Sequence, residues 1–539
     1  LKIGSEIMNK TKFSNFLLNI LFPCFVLSGI VGIISGTVVF FFKYIAHLLS
    51  NQSMNIYFFV KENLIYVPLV LLLLSVFAII SYHIVRLCKC AKGGGIPTAV
   101  GILRGQITFK WFSNLIGTII SAFISYFSGL SLGEEGQSVQ IGTCIGEGVS
   151  KITGKKQKAW HRYVMTGGAA SGFAVATGAP VSGVFFALEE AHKRLSPMII
   201  MVTLSSVFFS YFTSKLWSFI TGISPSNILL DTSNITLPLK DIWIVLIIGI
   251  IVGFFACGVT KVFKLINHYW SEKFYKCPLY VKFIIAFLIS GIMGIIIPYS
   301  IGGGMQLINL AIQRKVIFTS LLLLLFVKTL LALFLNNTGV TGGMFIPTLC
   351  QGTLLGAILA EIFIKLGISS EYYLIIVMIS MISYLASIQR VPMTAIIFSM
   401  ELFGSVNNIL FVILGVFLSF MIIEMFNNRS LNDISLEQRL KVDNKNRVKV
   451  FKEMTMVVQS NSFAIGKTIR DIFWPADCQV LSLIYNTKQA AIKDGEKHIH
   501  EGDLVKLRYA RYLDDKDETL ATLKSILGNQ EMNEMDTTS

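Results

Sequence analysis

The sequence predicts an all-α polytopic membrane protein built from two repeated halves with broken, re-entrant helices, followed by a small α/β domain. Three observations carry that prediction. Of 539 residues, 53% are hydrophobic and only 14% charged, whereas soluble domains carry about 25% charged residues. Apolar stretches approach or exceed the ~20 residues that cross a bilayer, among them 13–42, 67–84, 242–262, 283–300, 320–334 and 408–426. Glycine- and proline-marked motifs of the first half also return in the second at a nearly constant offset.

The first apolar run is too long for a signal-peptide core and is read as a retained span. The repeat then fixes the order of elements. Gly93-Gly94-Gly95-Ile96 returns as Gly302-Gly303-Gly304-Met305, and Gly133-Glu134-Glu135-Gly136-Gln137 as Gly343-Met344-Phe345-Ile346-Pro347. The run from Ala179-Pro180 to Glu189 returns from Val391-Pro392 to Glu401. Two homologous halves, about 14–215 and 240–426, are a transporter architecture. Near Asn427 the composition turns polar. Residues 1–426 are therefore read as the membrane domain, 427–447 as a linker, 448–525 as a small folded domain and 526–539 as a disordered tail.

The net charge is +15, but the basic residues sit in short loops between apolar runs, which marks cytoplasmic loops rather than nucleic-acid binding. Lys10 and Lys12, then Arg86, Lys89 and Lys92, then Lys151, Lys155, Lys156, Lys158 and Arg162 form three such groups. This places a multi-pass protein in the cell membrane. The eight cysteines lack metal-site spacing, and Lys497-His498-Ile499-His500 reads as a strand with solvated histidines rather than a metal site. No H-E-x-x-H or P-loop motif is present, so neither an enzyme nor an ATP-driven pump is expected.

The chemistry concentrates in four glycine-rich breaks, 93–97, 133–137, 302–304 and 343–347, each preceding a helix-compatible run. A helix N-terminus offers unpaired N–H groups and partial positive charge. Several such ends meeting at mid-membrane would bind an anion without a full counter-charge. Glu135 lies in one of these breaks. A carboxylate there occupies an anion's place, and on protonation it can swing aside, serving as both gate and proton carrier. Glu189 and Glu190 end a short apolar helix beside Lys193 and Arg194. Glu189 has a repeat partner in Glu401, which favours a structural pair. Glu190 faces Leu402 in the repeat, which makes it the candidate for a proton-entry role.

Together these residues resemble the CLC family of chloride channels and proton-coupled chloride transporters, over roughly 13–440. The carrying motifs are Gly93–Pro97, Gly133–Gln137, Gly343–Pro347 and the helix from Gly178-Ala179-Pro180 to Glu190. The resemblance implies a homodimer in the lipid bilayer, each subunit with its own pathway for chloride and protons and chloride ions bound along it, without other cofactor or metal. It implies Glu135 as the gate, Glu190 as the internal proton glutamate, and anion contacts from Gly94, Gly95, Ile96, Gly133, Gly136, Met344, Phe345 and Asn432. Gly94 stands where the family usually has serine and Asn432 where it usually has tyrosine. Gln137 replaces a proline, and Glu134 takes a position often basic. The implied function is a H+/Cl− antiporter. A passive chloride channel and a fluoride/H+ exchanger are the alternatives. Residues 448–525 resemble the TrkA-C domain of potassium-transport regulators, through Ile465–Ile472, Val480–Tyr485 and Ile499–Leu507 read as helix, strand, turn, strand. That implies a cytoplasmic regulatory domain binding a small effector.

Overall fold

A computed structural model describes residues 24–152, 159–223, 228, 230–272, 274, 277–444, 447–460, 462–475, 477–485, 488–491, 495–512 and 518–532. The start of the first apolar run, Lys10, Lys12, Lys155, Lys156, Lys158 and the end of the tail lie outside these residues.

Among the described residues, nine helices are long and apolar enough to cross a membrane. They divide by burial. The most hydrophobic stretch of Leu64–Leu87 is 17% buried, whereas that of Phe345–Lys365 is 89% and that of Ser370–Gln389 is 83% buried. A helix apolar all round and enclosed by others is a core element, and one exposed along its length meets lipid. The glycine motif at 343–347 therefore opens one of the most enclosed helices of the chain.

The two halves repeat element by element. Gly95–Leu103, Trp111–Phe127, Glu135–Ile152, His161–Thr177 and Pro180–Phe186 correspond to Met305–Ile312, Phe318–Thr338, Phe345–Lys365, Tyr373–Gln389 and Pro392–Phe403. The breaks are equivalent too. Gly93 and Gly302 both take positive φ, +79° and +62°, a conformation open to glycine at no steric cost. The Gly93 amide donates to the Gly339 carbonyl at 3.0 Å, and the Gly302 amide to the Gly129 carbonyl at 3.3 Å. Each half thus anchors its break on the end of a helix that has a counterpart in the other half. Proline opens both Pro180–Phe186 and Pro392–Phe403, where its missing N–H costs nothing.

The stretch read as a linker carries a helix, Leu431–Asp443, capped by Ser430 Oγ accepting from the Asp433 amide at 3.0 Å. It packs against Gly95–Leu103. Beyond it, strands β1 (Lys449–Val457), β2 (Cys478–Tyr485), β3 (Lys488–Ala491), β4 (Leu504–Tyr512) and β5 (Glu531–Met532) form an antiparallel sheet in the order β3-β2-β4-β1-β5. The helix Glu518–Leu527 buries Leu523, Ile526 and Leu527 with Met456, Val505, Leu507 and Tyr509. Residues 465–472 form turns where a helix was expected. The Arg470 amide donates to Gly495 and the Gly466 amide to Ile499, so cross-chain bonds replace helical ones.

The sheet domain docks through Phe473, which is 4% exposed. Its ring stacks on His192 at 4.4 Å and lies 4.1 Å from Tyr163, with the guanidinium groups of Arg194 and Arg162 at 4.5 and 5.2 Å. Arg162 Nη1 donates to the Trp474 carbonyl at 2.6 Å.

Candidate functional site

The breaks of the two halves bond to each other. Gly133 and Gly343, equivalent in the repeat, exchange backbone hydrogen bonds of 2.7 and 2.8 Å. This short antiparallel bridge sets the start of Glu135–Ile152 against the start of Phe345–Lys365. A third helix joins them. A methyl on Gly136 would lie 3.2 Å from Gly343 Cα, 3.3 Å from the Gly95 nitrogen and 3.4 Å from the Ile96 nitrogen. A side chain on Gly95 would overlap the Gly136 carbonyl, so glycine is what allows this approach. Gly94, Gly95, Ile96, Gly133, Glu135, Gly136, Met344 and Phe345 are thus brought to one place, where three helix N-termini present amides and partial positive charge.

Glu135 is the first residue of its helix and 1% exposed. The amides of Glu135 and Ile346 both act on its carboxylate, which places it at the N-termini of the two repeat-related helices. Among the described residues its Oε2 has no hydrogen-bond partner. It lines a cavity of about 60 Å³ with Glu134, His47, Asn51 and the Gly302–Gly304 loop. Gly94 opens on a separate cavity of about 260 Å³ lined by Lys92, Asn336, Ser435 and Arg439. Gln137 ties the pieces together, with Nε2 donating to the Gly93 carbonyl and Oε1 accepting from Tyr126, both at 3.4 Å.

Asn432 sits with Glu190. Its Nδ2 lies 2.8 Å from Glu190 Oε1 and 2.7 Å from Gln389 Oε1. Gln389 Nε2 donates in turn to Thr348 Oγ1 at 3.3 Å, and Thr348 is in the first turn of Phe345–Lys365. A chain of polar groups therefore runs from Glu190 to the helix that begins at Phe345. Glu190 is 2% exposed. Its backbone is clamped by Arg104, which donates to the Glu190 carbonyl at 2.9 Å and the Ala191 carbonyl at 3.0 Å, and pairs with Asp433 at 3.3 Å.

Glu189 points elsewhere. Its carboxylate accepts from the Met393 amide at 2.9 Å and from the Thr394 amide and hydroxyl, both at 2.7 Å. Glu401 repeats this on the other half, accepting from the Val181 amide at 2.7 Å, the Ser182 amide at 2.9 Å and the Ser182 hydroxyl at 2.6 Å. Each carboxylate caps the opposing helix, satisfying orphan donors and the positive end of its dipole.

Two buried lysines, outside all of the motifs above, also bear on the site. Lys328 is fully buried and donates to the carbonyls of Ser300, Ile301 and Gly302 at 3.2, 3.0 and 2.5 Å. Lys43 is 4% exposed and acts electrostatically on Glu134 and Glu135. Each is a single cation inside a long apolar run, a signal strong enough to flag it.

Comparison with known proteins agrees with this architecture. The family described as voltage gated chloride channel matches residues 76–424, more than half of the chain. The fold is similar to that of a slow cyanobacterial Cl−/H+ antiporter, with TM-score 0.71 and 22% identity over 78% of this chain and 99% of that one. It is also similar to a CLC-type fluoride/proton antiporter, with TM-score 0.63 and 19% identity over 75% and 96% of the two chains. A eukaryotic CLC transporter gives TM-score 0.64 and 17% identity over 83% and 78%. With the family match across its helical core and a repeat whose breaks meet at the centre, the chain belongs to the voltage-gated chloride channel (CLC) family of membrane proteins.

Proposed function

We propose that this protein is a secondary active H+/Cl− antiporter whose anion pathway is gated by Glu135. The observation that carries the proposal is the position of the Glu135 carboxylate across the amides at two facing helix N-termini. A chloride ion would compete for the same amides. Protonation neutralises the carboxylate and removes its hold on them, so proton uptake frees the amides for an anion and anion binding favours the protonated gate, the linkage that exchange requires. Gly94, Gly95, Ile96, Gly133, Gly136, Met344 and Phe345 supply the backbone that surrounds the ion. Glu190 delivers protons from the other side, and the polar chain through Asn432, Gln389 and Thr348 supports that role. In this reading Asn432 serves the proton branch together with the anion site.

The Glu190 side, where the sheet domain docks, faces the cytoplasm. The sheet domain is a TrkA-C-like regulatory module that responds to a small effector, and two copies of the chain form a homodimer in the lipid bilayer. The test is flux from purified protein in liposomes, recording chloride efflux and proton uptake together, with fluoride and nitrate as comparison ions. An outward chloride gradient that drives protons uphill supports exchange. Chloride efflux without proton movement would make the protein a passive channel, and a marked preference for fluoride would make it a fluoride exchanger.

A further inference from the structure

The helix Ser28–Glu62 carries Lys43, His47 and Asn51 at four-residue spacing, which places them on one face. The helix packs against Glu135–Ile152. His47 and Asn51 line the cavity shared with Glu134 and Glu135 and are joined at 2.9 Å, while Gln306 Nε2 donates to Asn51 Oδ1 at 2.8 Å. Lys43 lies one turn deeper. Its ammonium forms no hydrogen bond or close ion pair among the described residues, yet its charge reaches both carboxylates. Lys328 differs in this respect, because three carbonyl dipoles already surround its charge.

We infer that Lys43 is the counter-charge of the anion gate, a positioning residue that offsets Glu134 and so sets how tightly the pathway takes up an anion beside Glu135. The inference rests on the reading of Glu135 as a gate on an anion pathway. When Glu135 is protonated and yields its place, Glu134 would leave a net negative charge facing the incoming ion. With Lys43 the two charges cancel, and the helix N-termini decide the outcome. At an effective dielectric near 20, a unit charge some ångströms away shifts an equilibrium by about tenfold or more.

The test is the chloride dependence of flux in liposomes for K43M, K43R, E134Q and the double variant K43M/E134Q. K43M is expected to raise the half-saturating chloride concentration about tenfold, while K43R stays within about threefold of the parent. Adding E134Q to K43M is expected to restore most of the loss, because the charge balance returns. An unchanged chloride dependence in K43M overturns the inference, as does a K43M/E134Q variant that stays as impaired as K43M. If K43M alone does not fold, E134Q still decides, since removing the charge that Lys43 offsets must lower the half-saturating chloride concentration severalfold, and an unchanged value overturns the inference. E135Q measured in parallel tests the gate separately. A change in proton coupling there with no effect of Lys43 on affinity sinks this inference alone, whereas a parent that moves no anion sinks the reading beneath it.

Discussion

Glu189 and Glu190 are neighbours in the chain, yet only Glu189 has an acidic counterpart in the other half. Glu189 and Glu401 do the same work on opposite halves, each capping the helix that faces it with three hydrogen bonds. Glu190 and Glu135 stand where the second half has Leu402 and Phe345. The pair that obeys the repeat holds the scaffold. Glu190 and Glu135, which break it, are buried at the end of a polar chain and beside the breaks, the places that the proposed exchange assigns to moving charge. On the proposed function, the comparison teaches that symmetry marks structure in this duplicated fold, and departure from it marks the residues that move charge.

The largest expected effect comes from removing the gate charge. Glu135→Gln should abolish proton movement while chloride flux persists or rises. A folded variant that loses all chloride flux would put the gate elsewhere. Glu190→Gln should slow coupled proton movement by about a hundredfold, within what a positioned proton carrier supplies, with chloride flux retained. Unchanged coupling would return Glu190 to a structural role and erase its contrast with Glu189.

Next in size is the docking residue. Phe473→Ala empties a buried aromatic site, and such truncations cost about 3 kcal/mol or more. Limited proteolysis should then cut between Leu431–Asp443 and β1 faster than in the parent, with the ratio of protons to chloride unmoved. Glu189→Ala and Glu401→Ala should each cost about 1–2 kcal/mol of stability through lost caps, by similar amounts, again without altering that ratio. Unequal costs would mean that the reciprocal caps are not energetically equivalent.

The smallest effect is one of pH. Burial works to raise the Asp433 carboxyl, but the Lys193 ammonium and Arg104 guanidinium outweigh it and hold the group below the usual carboxylate range. The folded protein therefore binds this proton more weakly than the unfolded chain does. The contribution to stability is full above the unfolded value and is lost as pH falls through the folded one. Asp433→Asn should remove that acid-side slope from thermal unfolding in detergent and leave the neutral range little altered beyond a constant offset.

Much of the scaffold was legible in the residues because glycine, proline and offset are local signals. The breaks at Gly93, Gly133, Gly302 and Gly343 could be placed from their repeat, and the pairing of Glu189 with Glu401 pointed to a shared structural task. What stayed hidden depends on long-range partners. Nothing local ties Asn432 to Glu190, 242 residues away, or Lys43 to Glu134. The polar stretch after Asn427 looked like a tether because Leu431–Asp443 has few apolar residues, yet Leu431 and Leu436 are enough to seat it on the core. Residues 465–472 looked helical because their alternative, cross-chain bonds to Gly495 and Ile499, is invisible in a single stretch.

The most direct test of the contrast between symmetric and asymmetric carboxylates is the ratio of protons to chloride moved in liposomes by the parent, Glu189→Gln and Glu190→Gln side by side. The account predicts that Glu189→Gln keeps the parental ratio and Glu190→Gln brings it near zero, both with chloride flux intact. A ratio that falls in Glu189→Gln and holds in Glu190→Gln would contradict it.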